Sequence, residues 1–178
     1  HWAGFCSPMD EIDFKKRDWV PKSGWPISKK DLNPYYEKAQ KTIQLGPYQY
    51  DLEYWQDKFE NLNPFPLDDE VFINKMWQFN AARFGQLYKD EIINSKNIHL
   101  YTYANVVDIK TTENGSSVVQ ITIKNHAGKE HTVKAQNFIL ACGAIQNARL
   151  LLASNAQQEK GLGNGHDLVG RYFMEHLE

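Results

Sequence analysis

The sequence contains little that would assign it to a specialised class of protein. Its two cysteines, Cys6 and Cys142, are too few for a disulfide framework and lack the spacing of a metal site. No apolar run is long enough to cross a membrane, and no signal peptide is recognisable. The formal net charge of −2 gives no electrostatic reason to expect nucleic acid or an anionic membrane as a partner. The composition is typical of a soluble globular protein, and a cytoplasmic location is favoured over a periplasmic one.

Recognisable catalytic and metal-binding motifs are also missing. The GLGNG stretch at 161–165 follows no strand and fits neither GxGxxG nor a P-loop, so a flexible turn is the simpler interpretation. His166, Glu175 and His176 are close in sequence but match no metal-ligand spacing. No nucleophile and base are placed together. We therefore predict no catalytic residue and no metal ligand in this chain, and the absence of an initial Met indicates a fragment or a processed product.

The first half of the chain is rich in aromatic side chains. Ser28 and Asp31 form a capping-box pattern, and the Asn-Pro pair at 33–34 is expected to restart the helix that follows. Large apolar residues alternate on both faces of residues 71–79, which predicts a strand covered on both sides.

The second half has the pattern of a β-meander. A strand is predicted over residues 98–109, and the Asn-Gly pair at 114–115 and Gly128 mark antiparallel turns. The apolar run 138–142 predicts a buried strand in which Cys142 is a buried free thiol. Because parallel neighbours need a crossover, 98–109 and 138–142 are expected to lie parallel in one sheet, with the meander as a separate layer. These patterns predict an α+β (mixed α/β) fold.

The stretch around Gly143 is the strongest candidate for a ligand site. After this glycine, apolar residues recur at helical spacing: Ile145, Ala148, Leu151 and Leu152. A glycine here allows the backbone to approach a ligand closely, and the start of a helix offers unpaired N–H groups to an anion. An ordinary strand–helix junction gives the same pattern and is, for this stretch alone, the simpler interpretation.

Several short motifs lie in a characteristic order along the chain. Those in the first half are His1-Trp2-Ala3-Gly4, Arg17-Asp18-Trp19-Val20-Pro21, Ser23-Gly24-Trp25-Pro26-Ile27 and Arg83-Phe84-Gly85. Those in the second half are Ala104-Asn105-Val106, Phe138–Ile145, Asn147–Leu151 and Asp167–His176. In this order they resemble the central part of the glucose–methanol–choline (GMC) family of FAD-dependent oxidoreductases, and most of all its bacterial sugar- and polyol-oxidising branch.

The resemblance implies a fold, a cofactor and a set of cofactor contacts. It implies a fragment of an FAD-binding Rossmann-type domain with a β-meander, together with part of an aromatic-rich substrate domain. Residues 1–95 would belong to the substrate domain, 96–160 to the flavin domain and 161–178 to a connecting segment. In pyranose oxidase-like members, the position that His1 resembles bonds covalently to the flavin. The residues implied to contact FAD are His1, Val106, Ala141, Cys142 and Gly143.

The activity implied for the parent protein is transfer of hydride from the CH–OH group of a sugar, polyol or other alcohol to FAD. The family's N-terminal GxGxxG and the C-terminal part that carries its catalytic His are not among these residues. The chain by itself is therefore expected to be colourless and inactive. A flavin-domain sheet without its neighbouring strand would also have a bare edge, so self-association through this edge is expected.

Two other kinds of function fit parts of the sequence. A flavoprotein of the disulfide-reductase or hydroxylase kind shares the meander, although a redox CxxC is missing here. A non-catalytic module would use the aromatic-rich first half to hold a carbohydrate or a partner protein. A GxGxxG upstream and a His downstream in the flanking sequence would favour the GMC alternative.

Overall fold

The computed structural model describes residues 4–68, 70–80 and 82–174 of the chain. The chain divides into two compact units, 1–95 and 96–178. The first unit contains β1 (Phe5–Cys6), α1 (Glu11–Phe14), α2 (Lys29–Thr42), α3 (Leu52–Gln56), β2 (Gln78–Phe79), α4 (Phe84–Leu87) and α5 (Lys89–Asn94). The second contains β3 (Asn105–Thr111), β4 (Val118–Lys124), β5 (Glu130–Val133) and α6 (Ala144–Ala153). The mixture of helix and sheet confirms the α+β class, whereas a Rossmann-type arrangement is not confirmed.

Helix α2 begins at the capping box that the sequence predicts. The backbone N–H of Ser28 donates to Asp31 Oδ2 at 2.9 Å, and its hydroxyl donates to the same oxygen at 2.8 Å. Both hydrogen bonds lower the pKa of the Asp31 carboxyl, and the bond from the backbone N–H has the larger effect. The predicted restart at 33–34 is wrong, because α2 runs from Lys29 through Pro34 without interruption. The proline is the sixth residue of the helix, beyond the first four N–H groups, so α2 continues through it with one hydrogen bond fewer.

The strand predicted over residues 71–79 is wrong for most of its length. Only Gln78 and Phe79 form a strand, which pairs antiparallel with Phe5 and Cys6. The residues before it have an alternating apolar pattern but stay exposed: Val71 by 69%, Phe72 by 55% and Ile73 by 69%. Alternation stabilises a strand only when a neighbouring strand and a covering layer are present, and within the described residues this segment has neither.

A buried glutamine organises the first unit. Gln40 Nε2 donates to the carbonyl oxygens of Gly46 and Pro47, each at 3.1 Å, and to Gln78 Oε1 at 2.9 Å. Gln40 Oε1 accepts from the hydroxyl of Tyr50 at 3.0 Å. This side chain therefore joins the end of α2 and the turn after it to strand β2, which is 38 positions away in sequence.

The second unit is built on a three-stranded antiparallel sheet in the order β3-β4-β5. Ile109 lies opposite Ile121, and Ile121 lies opposite Val133. Both turns predicted from sequence are confirmed, with Gly115 at φ +69° and Gly128 at φ +78°. Glycine adopts this left-handed conformation at little cost, which is why the pattern predicted both hairpins correctly.

Helix α6 packs against β3, and a buried serine connects the two. Ser154 Oγ accepts from the backbone N–H of Ile109 at 3.0 Å and donates to the carbonyl oxygen of Leu150 at 2.8 Å. All three residues are buried. The helix predicted after Gly143 is confirmed, and the residue that caps its C-terminal end is joined to β3 by one hydrogen bond.

The glycine-rich loop at 161–165 forms the predicted turn, and its first two residues pack against the end of α6. The N–H of Leu162 donates to the carbonyl oxygen of Leu151 at 2.8 Å. Gly161 has φ +95°, and a Cβ atom built on it would lie 2.8 Å from Leu152 Cα. The loop thus approaches the end of α6 so closely that only a glycine fits at 161.

The predicted parallel pair of strands is wrong. The first predicted strand begins only at Asn105, and β3 is part of the antiparallel meander itself. Residues 138–142 form no strand, and Ile139 is 88% exposed. An extended apolar run becomes a strand only when another strand pairs with it, and the part of the chain that the structure describes supplies no such neighbour.

Candidate functional site

The bend between the apolar run 138–142 and helix α6 has a backbone conformation that only glycine adopts easily. Gly143 is the N-terminal cap of α6, with φ +86° and ψ 158°. A side chain in this region of φ and ψ is strained. Apart from the two chain neighbours of Gly143, no described residue has an atom within 4 Å of the position that a Cβ there would take. The glycine is therefore required by its own backbone geometry, and the space in front of it is open.

An asparagine on α6 holds the bend in place. Asn147 Oδ1 accepts from the backbone N–H of Cys142 at 3.0 Å, and Asn147 Nδ2 donates to the carbonyl oxygen of Leu140 at 3.2 Å. The N–H of Cys142 and the C=O of Leu140 are groups that a neighbouring strand would pair with in a sheet. The side chain of Asn147 pairs with them instead. This role of Asn147 was not predicted from the sequence. The local signal for it was an asparagine one turn into a helix that begins at a glycine cap.

The structure brings three of the five sequence-predicted cofactor residues together. Ala141, Cys142 and Gly143 form the exposed bend before α6. Val106 is half-buried on β3, opposite Ile123. His1 lies outside the described residues. Among the described residues of this set, Gly143 has open space where a Cβ atom would lie.

The two cysteines have different surroundings. The prediction that Cys142 is a buried thiol is wrong, because this residue is exposed, as expected for a run that no strand covers. Cys6 lies on β1 and is partly buried, and burial raises the pKa of its thiol. Since the thiolate is the reactive form, this shift predicts that alkylation of Cys6 needs a higher pH than that of an ordinary thiol.

A cleft of about 700 Å³ lies in the first unit. Its walls combine aromatic rings, among them Phe65 and Phe72, with acidic, amide and basic side chains. In it, Lys75 Nζ lies 2.5 Å from Asp10 Oδ2 and donates to the carbonyl oxygen of Pro8 at 3.0 Å. Apolar rings beside hydrogen-bonding groups are the usual lining of small-molecule sites. No local pattern could have predicted this pair, because 65 positions separate its two residues.

A metal-holding cluster and a membrane-spanning helix are both absent from the described part of the chain. Within residues 4–68, 70–80 and 82–174, no three His, Cys, Asp or Glu side chains cluster in a way that could hold a metal ion. Two members of the sequence cluster discussed above, Glu175 and His176, lie outside these ranges. None of the described helices has the length and apolar character needed to span a bilayer.

Comparison with known proteins finds related oxidoreductases. The chain is 34% identical over 217 aligned positions to 2-methyl-1,2-propanediol dehydrogenase of Mycolicibacterium austroafricanum, an alignment that covers 99% of this chain and 39% of the relative. It is 31% identical over 126 positions to oxygen-dependent choline dehydrogenase of Staphylococcus saprophyticus, covering 64% of this chain and 20% of the relative. It is 33% identical over 72 positions to the fructose dehydrogenase large subunit of Gluconobacter japonicus, covering 40% of this chain and 13% of the relative. No family model matches the chain.

These relatives are dehydrogenases of the GMC type, and the resemblance recognised in the sequence is thereby confirmed. The chain is similar, at modest identity, to GMC-type oxidoreductases. It spans 39% of the length of the diol dehydrogenase and smaller shares of the other relatives.

Proposed function

We propose that this chain is the central portion of an FAD-dependent oxidoreductase that takes hydride from the CH–OH group of a sugar, polyol or other alcohol. The observation that carries the proposal is the similarity to a diol dehydrogenase across 99% of the chain. Residues 1–95 then belong to the substrate domain, 96–160 to the flavin domain and 161–178 to the segment that connects onward. We assign no catalytic residue within this chain, and we expect it to be inactive and colourless alone.

The bend at Ala141–Gly143 suits an extended, nucleotide-like cofactor. The absent Cβ of Gly143 and the open space beside it allow a ligand to lie directly against the backbone. The first N–H groups of α6 have no partner within the helix and point toward the same end. FAD, when bound, supplies the hydride acceptor. The chain's own contribution is to position it, with Asn147 keeping the bend in shape.

The cleft in the first unit is our candidate for part of the substrate-binding surface. Exposed rings such as Phe65, 73% exposed, offer flat apolar faces to a sugar or polyol. Asn74 holds this segment by accepting from the N–H of Phe65 at 2.9 Å and donating to its carbonyl oxygen at 3.2 Å. Hydrogen-bonding groups nearby, including Asp10 and Lys75, would orient hydroxyl groups.

Bound FAD should protect Cys142 from alkylation in the longer protein that contains this chain. The thiol is exposed and adjoins Gly143, so a cofactor lying against the bend would cover it. We expect iodoacetamide to modify Cys142 quickly when FAD has been removed and several-fold more slowly after FAD is restored, as read by peptide mass spectrometry.

Cys6 is the internal control, because it is partly buried in the other unit and should react at one slow rate in both states. Equal alkylation of Cys142 with and without FAD would contradict the proposed cofactor contact.

Gly143→Val should lower thermal stability, because a positive φ strains any side chain, and it should also weaken FAD binding, since the side chain would occupy the cofactor's space. A variant that binds FAD as tightly as the unsubstituted protein would contradict the proposed contact.

The isolated chain should associate with itself through the apolar run 138–142. Ile139 is the exposed one among the large apolar side chains of the run, at 88%, and the run has no strand partner among the described residues. A lysine on an exposed strand edge opposes pairing between chains. Ile139→Lys should therefore reduce concentration-dependent association in sedimentation velocity while leaving the unfolding midpoint unchanged.

The matched control is Val71→Lys, which places the same charge at a similarly exposed apolar position in the other unit, 69% exposed. If both substitutions reduce association equally, general surface hydrophobicity and not the run 138–142 is responsible. A chain that is monomeric without any substitution would also contradict the proposal.

A further inference from the structure

The sequence contains two Asn–Gly pairs, at 114–115 and 164–165. A glycine after an asparagine puts the least possible bulk beside its own backbone nitrogen, so this nitrogen can reach the asparagine side chain and attack it. The first pair lies at the tip of the β3–β4 hairpin, and the second lies in the loop after α6. The reacting dipeptide is the same in both places, but the two amide groups have different surroundings.

The side chain of Asn114 is exposed and is held only at the surface. Its Oδ1 accepts from the hydroxyls of Thr112 at 2.7 Å and Ser116 at 2.8 Å, and from the backbone N–H of Ser116 at 3.1 Å. Its Nδ2, the atom that leaves when asparagine loses its amide, makes no hydrogen bond with any described residue. Water can replace hydrogen bonds at an exposed group, so this side chain changes its orientation at little cost.

The side chain of Asn164 is buried, and both ends of its amide are bonded. It is 5% exposed. Its Nδ2 donates to the carbonyl oxygen of Lys160 at 2.8 Å, and its Oδ1 accepts from the backbone N–H of Val169 at 2.9 Å. Water does not readily replace bonds at a buried group, so turning this side chain leaves polar groups unsatisfied.

We propose that Asn114 is a site of spontaneous deamidation in the folded chain, and that the fold protects Asn164 from the same reaction. The backbone nitrogen of Gly115 attacks Cγ of Asn114, the Cγ–Nδ2 bond breaks, and the proton of the Gly115 N–H leaves with Nδ2 as ammonia. The donors on Oδ1 stabilise the negative charge that this oxygen carries during the attack. Water then opens the cyclic imide at either carbonyl, which gives aspartate or isoaspartate at position 114.

The hairpin tip must open locally for this attack. The N–H of Gly115 donates to the carbonyl oxygen of Thr112 at 2.8 Å, and this bond has to break first. Local opening of an exposed turn costs less than global unfolding, so the second unit does not have to unfold. At Asn164 the side chain must in addition leave its two buried partners. The inference does not rest on the proposed FAD site.

The isoaspartate product should weaken the hairpin. It adds a methylene to the main chain between Thr112 and Ser117, whose backbone N–H and C=O are bonded at 2.9 Å. Asn114→Asp is the matched control, because it has the charge of the product without the longer main chain. The isoaspartate form, separated by ion exchange, should unfold at lower urea than Asn114→Asp, and equal midpoints would contradict this effect on the hairpin.

Prolonged incubation of the full chain at mildly alkaline pH tests the proposed site, with peptide mass spectrometry to measure aspartate and isoaspartate at positions 114 and 164. The same incubation in guanidinium chloride gives the rate at each position without the fold. We expect the fold to slow the reaction at Asn164 roughly tenfold more than at Asn114, because two buried hydrogen bonds must break there. Equal slowing at the two positions, stronger slowing at Asn114, or no product at Asn114 in the folded chain overturns the proposal.

Discussion

Gly161→Ala should destabilise the second unit severely. A Cβ at this position would lie 2.8 Å from Leu152 Cα and 3.1 Å from the carbonyl oxygen of Leu151, both of them backbone atoms that cannot move aside. The positive φ of +95° adds strain for any residue with a side chain. Steric overlap and strain together are expected to cost roughly 2 to 5 kcal/mol, a large share of the stability of a small unit. Urea unfolding followed by near-ultraviolet circular dichroism measures the loss.

Gly163→Ala is the matched control in the same loop. Gly163 also has positive φ, +72°, but a Cβ there would meet nothing within 4 Å. Only the backbone strain remains, so the expected cost is about 1 kcal/mol. If the two alanine variants lost the same stability, close packing of the loop against α6 would not be what requires a glycine at 161.

Gln40→Leu should destabilise the first unit by about 2 kcal/mol, because it removes hydrogen-bond partners from several groups at once. Gln40 is 5% exposed, while Tyr50 and Gln78 are half-buried. Leucine would leave the hydroxyl of Tyr50 and Oε1 of Gln78 without these bonds, although water can reach part of each group. The free energy of unfolding from urea titration measures the effect.

Gln86→Leu makes the same chemical change at an exposed position of α4 and should have little effect. A double-mutant cycle with Tyr50→Phe then separates the hydrogen bond at Tyr50 from the rest of the network. A coupling energy near zero, together with an unchanged midpoint for Gln40→Leu, would show that the network contributes no net stability.

Elements whose formation depends on neighbouring residues were predicted well. The two hairpins follow from Gly115 and Gly128, the start of α2 follows from Ser28, and the helix after Gly143 follows from its apolar spacing. In each case the deciding contact joins residues only a few positions apart. The resemblance to GMC oxidoreductases also came from local motifs, and the relatives confirm it.

Elements that depend on a partner elsewhere in the chain were predicted poorly. The runs 71–79 and 138–142 have the composition of strands, but a strand exists only when its N–H and C=O groups pair with another. Ser154 and Ile109 are 45 positions apart, and Gln40 and Gln78 are 38 apart. No periodicity connects such residues.

For the candidate site, the sequence by itself determined that Gly143 ends an apolar run and begins a helix. Only the tertiary structure decided that the bend is open, that Asn147 holds it and that Cys142 is exposed. The physical reason is that a backbone preference such as the positive φ of glycine acts within one residue. Exposure and hydrogen bonding, by contrast, are set by whichever distant segments fold against that residue.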